Sequence, residues 1–256
     1  MAQALHAFST DYDCVNTPTV IVEVASPAGG LISEVMVSRG DIVEKGQIIA
    51  RLDSQVEQTT VNLMRERAAS KAEIEAQAAR LKLAQSQRDR IEKLVERNVS
   101  PEGDLEEATA AVEVASRELA MAKMRNRIAE LELDRSEKLL RQLDVVSPIS
   151  GLVLERMRFE GEFADQDAAI ARLAQLDPLN IETFLPVSVY PDLEIGMSAE
   201  IRPDDPIGGI YLGKVTVIDR VFDAASGTFG VRVEIDNDDL AIPAGHRCMI
   251  TFGIDG

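Results

Sequence analysis

The chain has 256 residues, 45% of them hydrophobic, with no tryptophan and aromatics at only 4%, which suits long helices and small sheets better than one large core. A formal charge of -17 argues against a nucleic-acid binder, whose affinity comes from neutralising phosphates. No apolar run approaches the ~20 residues needed to cross a bilayer and no signal peptide precedes the first strand, so the chain reads either as cytosolic or as a mature or trimmed form.

The charge is unevenly spread. Residues 1–53 carry 3 basic and 7 acidic side chains, residues 54–143 carry 16 and 17, and the remainder 8 and 20. The middle is balanced, as salt-bridged helices are, and the acidity lies on either side of it. Two cysteines stand near opposite ends, Cys14 and Cys248. In an oxidising compartment they can bridge, in a reducing one they stay as thiols, and their spacing does not choose between these.

From Ser26 the chain reads as short strands cut by glycine turns: Leu31 to Val37, a turn at Arg39-Gly40-Asp41, then Gln47 to Leu52. The same pattern returns after residue 146. At a constant offset of 121, Ser26–Asp53 aligns without a gap on Ser147–Ala174, with 11 identities in 28 pairs, among them Gly40 with Gly161 and Ile49-Ala50-Arg51-Leu52 with Ile170-Ala171-Arg172-Leu173. About thirty residues cannot bury a core alone, so the two copies must pack on each other.

Between the copies lies Ser54–Leu143, with no glycine but Gly103 and no proline but Pro101. Rich in Ala, Leu, Glu, Arg and Gln, it is predicted as two helical arms meeting in a turn at 98–103. Ser54-Gln55-Val56-Glu57 has the form of a capping box, and Ser100-Pro101 that of an N-cap followed by proline in the first helical position. In the second arm Leu105, Val112, Leu119, Asn126, Leu133 and Leu140 recur every seven residues, with Ala108, Ala115, Ala122, Ala129, Ser136 and Leu143 at the second seam position. The first arm answers through Leu63, Ser70, Ile74, Leu81, Ala84, Ile91 and Val95, interrupted by Gln77 and Arg88. Two such arms pair as an antiparallel coiled coil.

Beyond Pro178, Asn180–Val187, Ser198–Ile201, Gly213–Ile218, Phe229–Ile235 and Cys248–Phe252 read as the strands of a small barrel or sandwich. Gly208-Gly209-Ile210-Tyr211-Leu212-Gly213-Lys214 has the spacing of a phosphate loop, but Val215-Thr216-Val217-Ile218 alternates as a strand where such a loop needs a helix. His246, Cys248 and Cys14 lack metal-ligand spacing, and Asp236-Asn237-Asp238-Asp239, without the glycine and distal glutamate of a calcium loop, reads as a solvated turn. No serine or cysteine has a histidine partner nearby, and the reading is of a non-enzyme.

The paired half-motifs Gly30-Leu31-Ile32, Gly40-Asp41-Ile42-Val43 and Gly46-Gln47-Ile48-Ile49 resemble the lipoyl or biotinyl carrier fold, and such a fold split by a helical hairpin resembles the HlyD-like membrane fusion proteins, periplasmic adaptors of bacterial efflux and secretion pumps. Leu176-Asp177-Pro178-Leu179-Asn180-Ile181 and Pro243-Ala244-Gly245 are similar to the family's barrel segment. The fold this implies is α+β: a lipoyl/biotinyl-like β domain over 19–53 and 144–177, split by an antiparallel coiled-coil hairpin over 54–143, then a β-barrel over 178–256 of about six strands, completed in some members by N-terminal residues, here 1–18.

The resemblance further implies a periplasmic, non-enzymatic adaptor. It is held at the inner membrane through a segment absent from this chain, links an inner-membrane transporter to an outer-membrane channel, and assembles as a homo-oligomer, often a hexamer in this family. No cofactor is implied, because the turn that would present a modifiable lysine is Leu52-Asp53-Ser54, where the hairpin is inserted. In pump adaptors the tip carries an Arg, a Leu four later and a Ser seven beyond. Arg90 and Leu94 match, while Ser100 comes one residue early and Pro101 takes its place, so the implied partner-binding tip is Arg90, Leu94, Val99, Ser100 and Pro101. The competing reading makes Arg90 and Leu94 seam and surface residues and Ser100 a helix cap. For the whole chain the alternatives are a carrier module of a multienzyme complex and a cytosolic coiled-coil scaffold.

Overall fold

The computed structural model describes residues 10–253 and contains two compact units, Asp53–Leu143 and the chain on either side of it. In the flanking unit the strands are β1 (Tyr12–Ala25), β2 (Gly30–Val35), β3 (Ile42–Val43) and β4 (Ile48–Leu52), then β5 (Asp144–Val146), β6 (Gly151–Arg156), β7 (Phe163–Ala164) and β8 (Ala169–Pro186). Four more follow, β9 (Ser198–Pro203), β10 (Tyr211–Ile218), β11 (Thr228–Ile235) and β12 (Arg247–Phe252).

The repeat folds as two interleaved halves. Strand β2 pairs with β4 of its own copy and β7 of the other, while β6 pairs with β8 and with β3. The registers obey the sequence offset: Ile32↔Leu52 is matched by Val153↔Leu173, and Gly30↔Ala164 by Gly151↔Val43. The symmetry even runs past the sequence repeat, since Arg51↔Asp144 is mirrored by Arg172↔Glu23. Equivalent apolar side chains fill the middle, Ile32, Ile49, Ala50 and Leu52 from one half and Val153, Ile170, Ala171 and Leu173 from the other, none more than 2% exposed. A one-residue slip would turn Ile32, Leu52, Val153 and Leu173 outward, which is why the register is the same in both halves. Gly40 and Gly161 occupy the same turn with φ of 95° and 82°, a conformation open to glycine at no steric cost.

Strands β1 and β8 run on from the sandwich into a barrel. Its order is β1-β12-β9-β10-β11-β8, and β8 pairs back with β1, so the ring of six is closed and leaves no free edge. Of the predicted N-terminal segment, residues 1–9 lie outside the described residues; Tyr12–Val15 pair with β12 and Cys14–Pro18 with β8. Leu179, Ile181, Ile201, Val233 and Ile250 form the barrel's interior, all fully buried. Cys14 and Cys248 are direct register partners on β1 and β12, 4.9 Å apart at Cα, and form a disulfide. Of the two alternatives left open by their spacing, the bridge is the one present. His246 is turned to the Asp204 carbonyl, 2.9 Å from Nε2, so it shares no ligand set with the bonded cysteines.

The acidic stretch after β11 departs from expectation. Asn237 is 2% exposed rather than solvated. Its Nδ2 donates to the Leu176 and Ile242 carbonyls at 2.9 and 3.1 Å, and its Oδ1 accepts the Ile242 amide at 3.0 Å. The side chain thus supplies the turn with hydrogen bonds that the backbone leaves open, while Asp236, Asp238 and Asp239 face solvent. Asn237→Ala leaves two carbonyls and an amide unpaired, and an unfolding free energy lower by about 2 kcal/mol in urea titration is expected; no change would show that water takes over those bonds.

The inserted unit comprises α1 (Gln55–Ala69), α2 (Ala72–Glu96) and α3 (Glu102–Arg141). Every predicted seam position of α3 from Leu105 to Leu140 is buried or half-buried, with Ala108, Ala115 and Ala122 the most enclosed. The first arm differs from its predicted form, because it breaks at Ser70, whose ψ of 115° is extended. Nothing in its own sequence breaks it. Asn126, a seam residue of the facing helix, donates its Nδ2 to the carbonyls of Ala68 at 3.0 Å and Ser70 at 3.3 Å, satisfying two acceptors that the helix would otherwise use. The break resets the heptad: α1 turns inward Val61, Met64 and Ala68, leaving Leu63 and Ser70 exposed, whereas α2 uses Ile74, Gln77, Leu81, Ala84, Arg88, Ile91 and Val95.

Neither predicted cap forms. Ser54 makes no capping bond, and the Asp53 carboxylate accepts the Gln55 amide at 3.2 Å. Pro101 rather than Ser100 takes the N-cap place of α3, and Ser100 turns its hydroxyl to a side chain.

Candidate functional site: the hairpin tip

Five residues, 97–101, join α2 to α3. The turn is set by Asn98 in the left-handed region with φ of 56°, a conformation asparagine tolerates better than most residues, and by amides of Asn98 and Val99 donating to the carbonyls of Val95 and Leu94, each at 2.8 Å. These bonds close the last turn of α2 and leave Val99 71% exposed at the apex. Leu94 and Val99 are therefore joined through the backbone, with Leu94 half-buried toward the seam.

Ser100 Oγ donates to Asp104 Oδ2 at 2.7 Å. Asp104 also borders an open groove of about 470 Å3 between the arms, whose walls include Gln87, Arg90 and Ile91 of α2 and Glu107 and Ala108 of α3. The groove exists because alanine fills one of the two seam positions here, so the arms approach closely without filling the surface between them. Arg90 is exposed in its wall and makes no ion pair within 4 Å among the described residues. The five sequence-predicted residues thus fall into an apex of Leu94, Val99, Ser100 and exposed Pro101, and Arg90 lower on α2. Asp104, which sequence reasoning passed over, touches Ser100 and shares the groove with Arg90; its place four residues after Ser100 was the available signal.

Toward α1 the unit is held by pairs across the seam: Arg65 to Glu137 at 3.2 Å, Lys71 to Glu130 at 3.2 Å, and Arg125 to Glu73. Hydrogen bonds from Arg127 and then Lys71 hold the Glu130 carboxyl below its ordinary range, and one from Lys138 does the same for Asp134. These ion pairs are exposed, so they fix the register of the arms more than they stabilise them.

Comparison with known proteins places this architecture. Residues 20–175 match the CzcB-like, barrel-sandwich hybrid domain family. The nodulation protein NolF of Rhizobium meliloti (strain 1021) is 25% identical over 93% of this chain and 60% of its own length. The nickel-cobalt-cadmium resistance protein NccB of Alcaligenes xylosoxydans xylosoxydans is 27% identical over 70% of this chain and 41% of its own. The chain thus spans about half the length of these relatives. Among solved structures, MacA from Actinobacillus actinomycetemcomitans superposes with a TM-score of 0.78 over 96% of this chain and 78% of that one, at 20% identity, a likeness of fold. Members of this family are periplasmic, non-enzymatic adaptors of efflux and secretion systems, for which oligomeric assembly is typical. No helix among the described residues is long and apolar enough to cross a membrane. With the family's domain matched from residue 20 to residue 175, the chain belongs to the CzcB-like barrel-sandwich hybrid family of membrane fusion proteins.

Proposed function

We propose that this chain is the periplasmic adaptor of a pump, joining an inner-membrane transporter to an outer-membrane channel, with the hairpin tip as the surface that meets the channel. The observation that carries the reading is the hairpin itself. It occupies the place where a carrier domain would present its modifiable lysine, and it ends in an exposed valine between two rigid helical ends. A carrier function has no use for such an insertion, whereas an adaptor needs a contact surface at the end of a stiff element. The disulfide supports an oxidising compartment, where such bonds persist.

The test is capture in intact cells. With Val99→Cys carrying a photoactivatable thiol reagent, cross-linking to an outer-membrane channel protein is expected, and Val114→Cys on the flank of α3 serves as the control position. Capture from the flank but not the tip would reverse the assignment of the contact surface. A complementary assay with lipoate and biotin ligases is expected to label no lysine; a labelled lysine would return the chain to the carrier class.

A further inference from the structure

Polar contacts between the arms are gathered around the break in the first arm. Asn126 gives its amide to the Ala68 and Ser70 carbonyls at 3.0 and 3.3 Å, while its Oδ1 accepts a hydrogen bond from Lys71 Nζ. Lys71 also donates to Glu130 at 3.2 Å, and Arg125 pairs with Glu73 one step toward the tip. Both ends of the Asn126 side-chain amide are thereby used, by the last turn of α1, by Ser70 and by the residue that opens α2. The geometry of the break also keeps the arms level. From Ala68 to Ile74 the first arm's seam advances six residues where α3 takes seven from Leu119 to Asn126. The extended Ser70 rises about 3.3 Å against about 1.5 Å for a helical residue, which makes up the difference.

Beyond Glu73 and Arg125 the character changes. Among the described residues no side-chain hydrogen bond or ion pair crosses from 74–96 to 102–124. None of the 25 residues of α2 is buried, and α3 buries only Ala108, Ala115 and Ala122, side chains too small to remove much apolar area from water. Gln77 and Arg88 stand in the seam itself. Two grooves are left between the arms, the one of about 470 Å3 beside Arg90 and another of about 610 Å3 beside Val95, Leu105 and Thr109. On the other side of the break, α1 buries Val61 to 1% exposure and Arg65 reaches Glu137 at 3.2 Å. Few buried apolar contacts and no polar cross-links mark a segment that opens at low free energy.

We infer that Asn126 and Lys71 form a clasp that divides the hairpin into two cooperative parts, a base (55–69 with 126–141) that stays closed and a tip half (74–96 with 102–124) that opens and closes as a unit. A helical pair without such a device frays gradually from its weaker end. Here opening stops at the break, because passing it means giving up all the hydrogen bonds of the half-buried Asn126 together. Val99 and Pro101 ride on the part that opens, so the two helical ends beneath them can adjust to a contact while the base keeps its register.

Amide hydrogen exchange of the full chain, read by mass spectrometry, tests this. In the wild type, amides of 74–96 and 102–124 are expected to exchange at least about tenfold faster than those of 57–68 and 128–140, with a single step in protection at the clasp. Asn126→Ala is expected to erase the step, bringing the base to within about threefold of the tip half. Near-ultraviolet dichroism of the three tyrosines, all outside the hairpin, is expected to stay unchanged, which separates loss of the clasp from general unfolding. Should Asn126→Ala unfold the hairpin outright, Lys71→Met, at an exposed site outside the seam, is expected to shrink the step by about threefold, and an unchanged step would remove Lys71 from the clasp. Protection that declines evenly from base to tip, equal protection of the two parts, or a step that survives Asn126→Ala would each overturn the inference. The measurement needs no partner, so its failure leaves the adaptor reading as it stands.

Discussion

Replacing both cysteines, Cys14→Ser with Cys248→Ser, is expected to lower the melting temperature of the sandwich-and-barrel unit by on the order of 10 °C. The bond joins residues 234 apart in sequence, and the entropy model of cross-linking gives close to its upper value, about 5 kcal/mol, for a loop that long, with about 2–4 kcal/mol typically realised. Its position adds to this. Strand β1 completes the barrel, yet only Tyr12–Val15 pair with β12, so the covalent link secures a short ladder at the place where the ring closes. All three tyrosines, Tyr12, Tyr190 and Tyr211, lie in this unit and none in the hairpin, so near-ultraviolet dichroism follows its melting separately from the helical signal. Wild-type protein under reductant should match the double variant. If both melt where the oxidised protein does, the bridge adds nothing and β1 is held by pairing alone.

The second large effect is expected at Gly151 and not at its repeat-mate Gly30. A methyl group at Gly151 would fall on the carbonyl of Ala174, where β6 meets β8, and a backbone atom there cannot yield without breaking the ladder. At Gly30 the same methyl meets only the Leu52 side chain, at 3.4 Å from Cδ2, which can rotate away. Gly151→Ala should therefore cost on the order of 3 kcal/mol and Gly30→Ala less than about 1. The asymmetry has a structural cause: β4 stops at Leu52, whereas β8, 18 residues long, runs on past the equivalent Leu173 to Pro186 and is clamped between β1 and β6. Chemical denaturation followed at the tyrosines measures both, and equal losses would show that the two halves tolerate crowding alike.

The sequence announced what repeats and what alternates. The offset of 121 predicted an interleaved sandwich because identical residues at identical spacing must bury identical faces, and the seven-residue recurrence from Leu105 to Leu140 marks the seam of α3 throughout. What escaped it were interactions made by residues distant in sequence. The break at Ser70 has no local signal, since the group that ends the helix is the Asn126 amide on the opposite arm. With the break came a change of phase, which is why Leu63 points to solvent instead of the seam. The caps failed for nearer reasons: beside Ser54 the Asp53 carboxylate takes the Gln55 amide, and Ser100 gives its hydroxyl to the Asp104 carboxylate while Pro101 stands at the N-cap place. Asn237 looked like one more polar residue in an acidic turn, and only the fold shows Leu176 beside it.

The pairing of β1 with β12 fixes when the molecule can take shape as it is made. While the ribosome still holds the end of the chain, the barrel lacks a wall, and its first strand has one partner where it will have two. The helical arms need nothing beyond Leu143 and can zip while the rest is being translated. A nascent chain thus carries a finished rod beside an unfinished body, and a premature stop anywhere before β12 would leave strand edges open to other chains, which makes early termination more hazardous here than in a protein folding from its beginning onward.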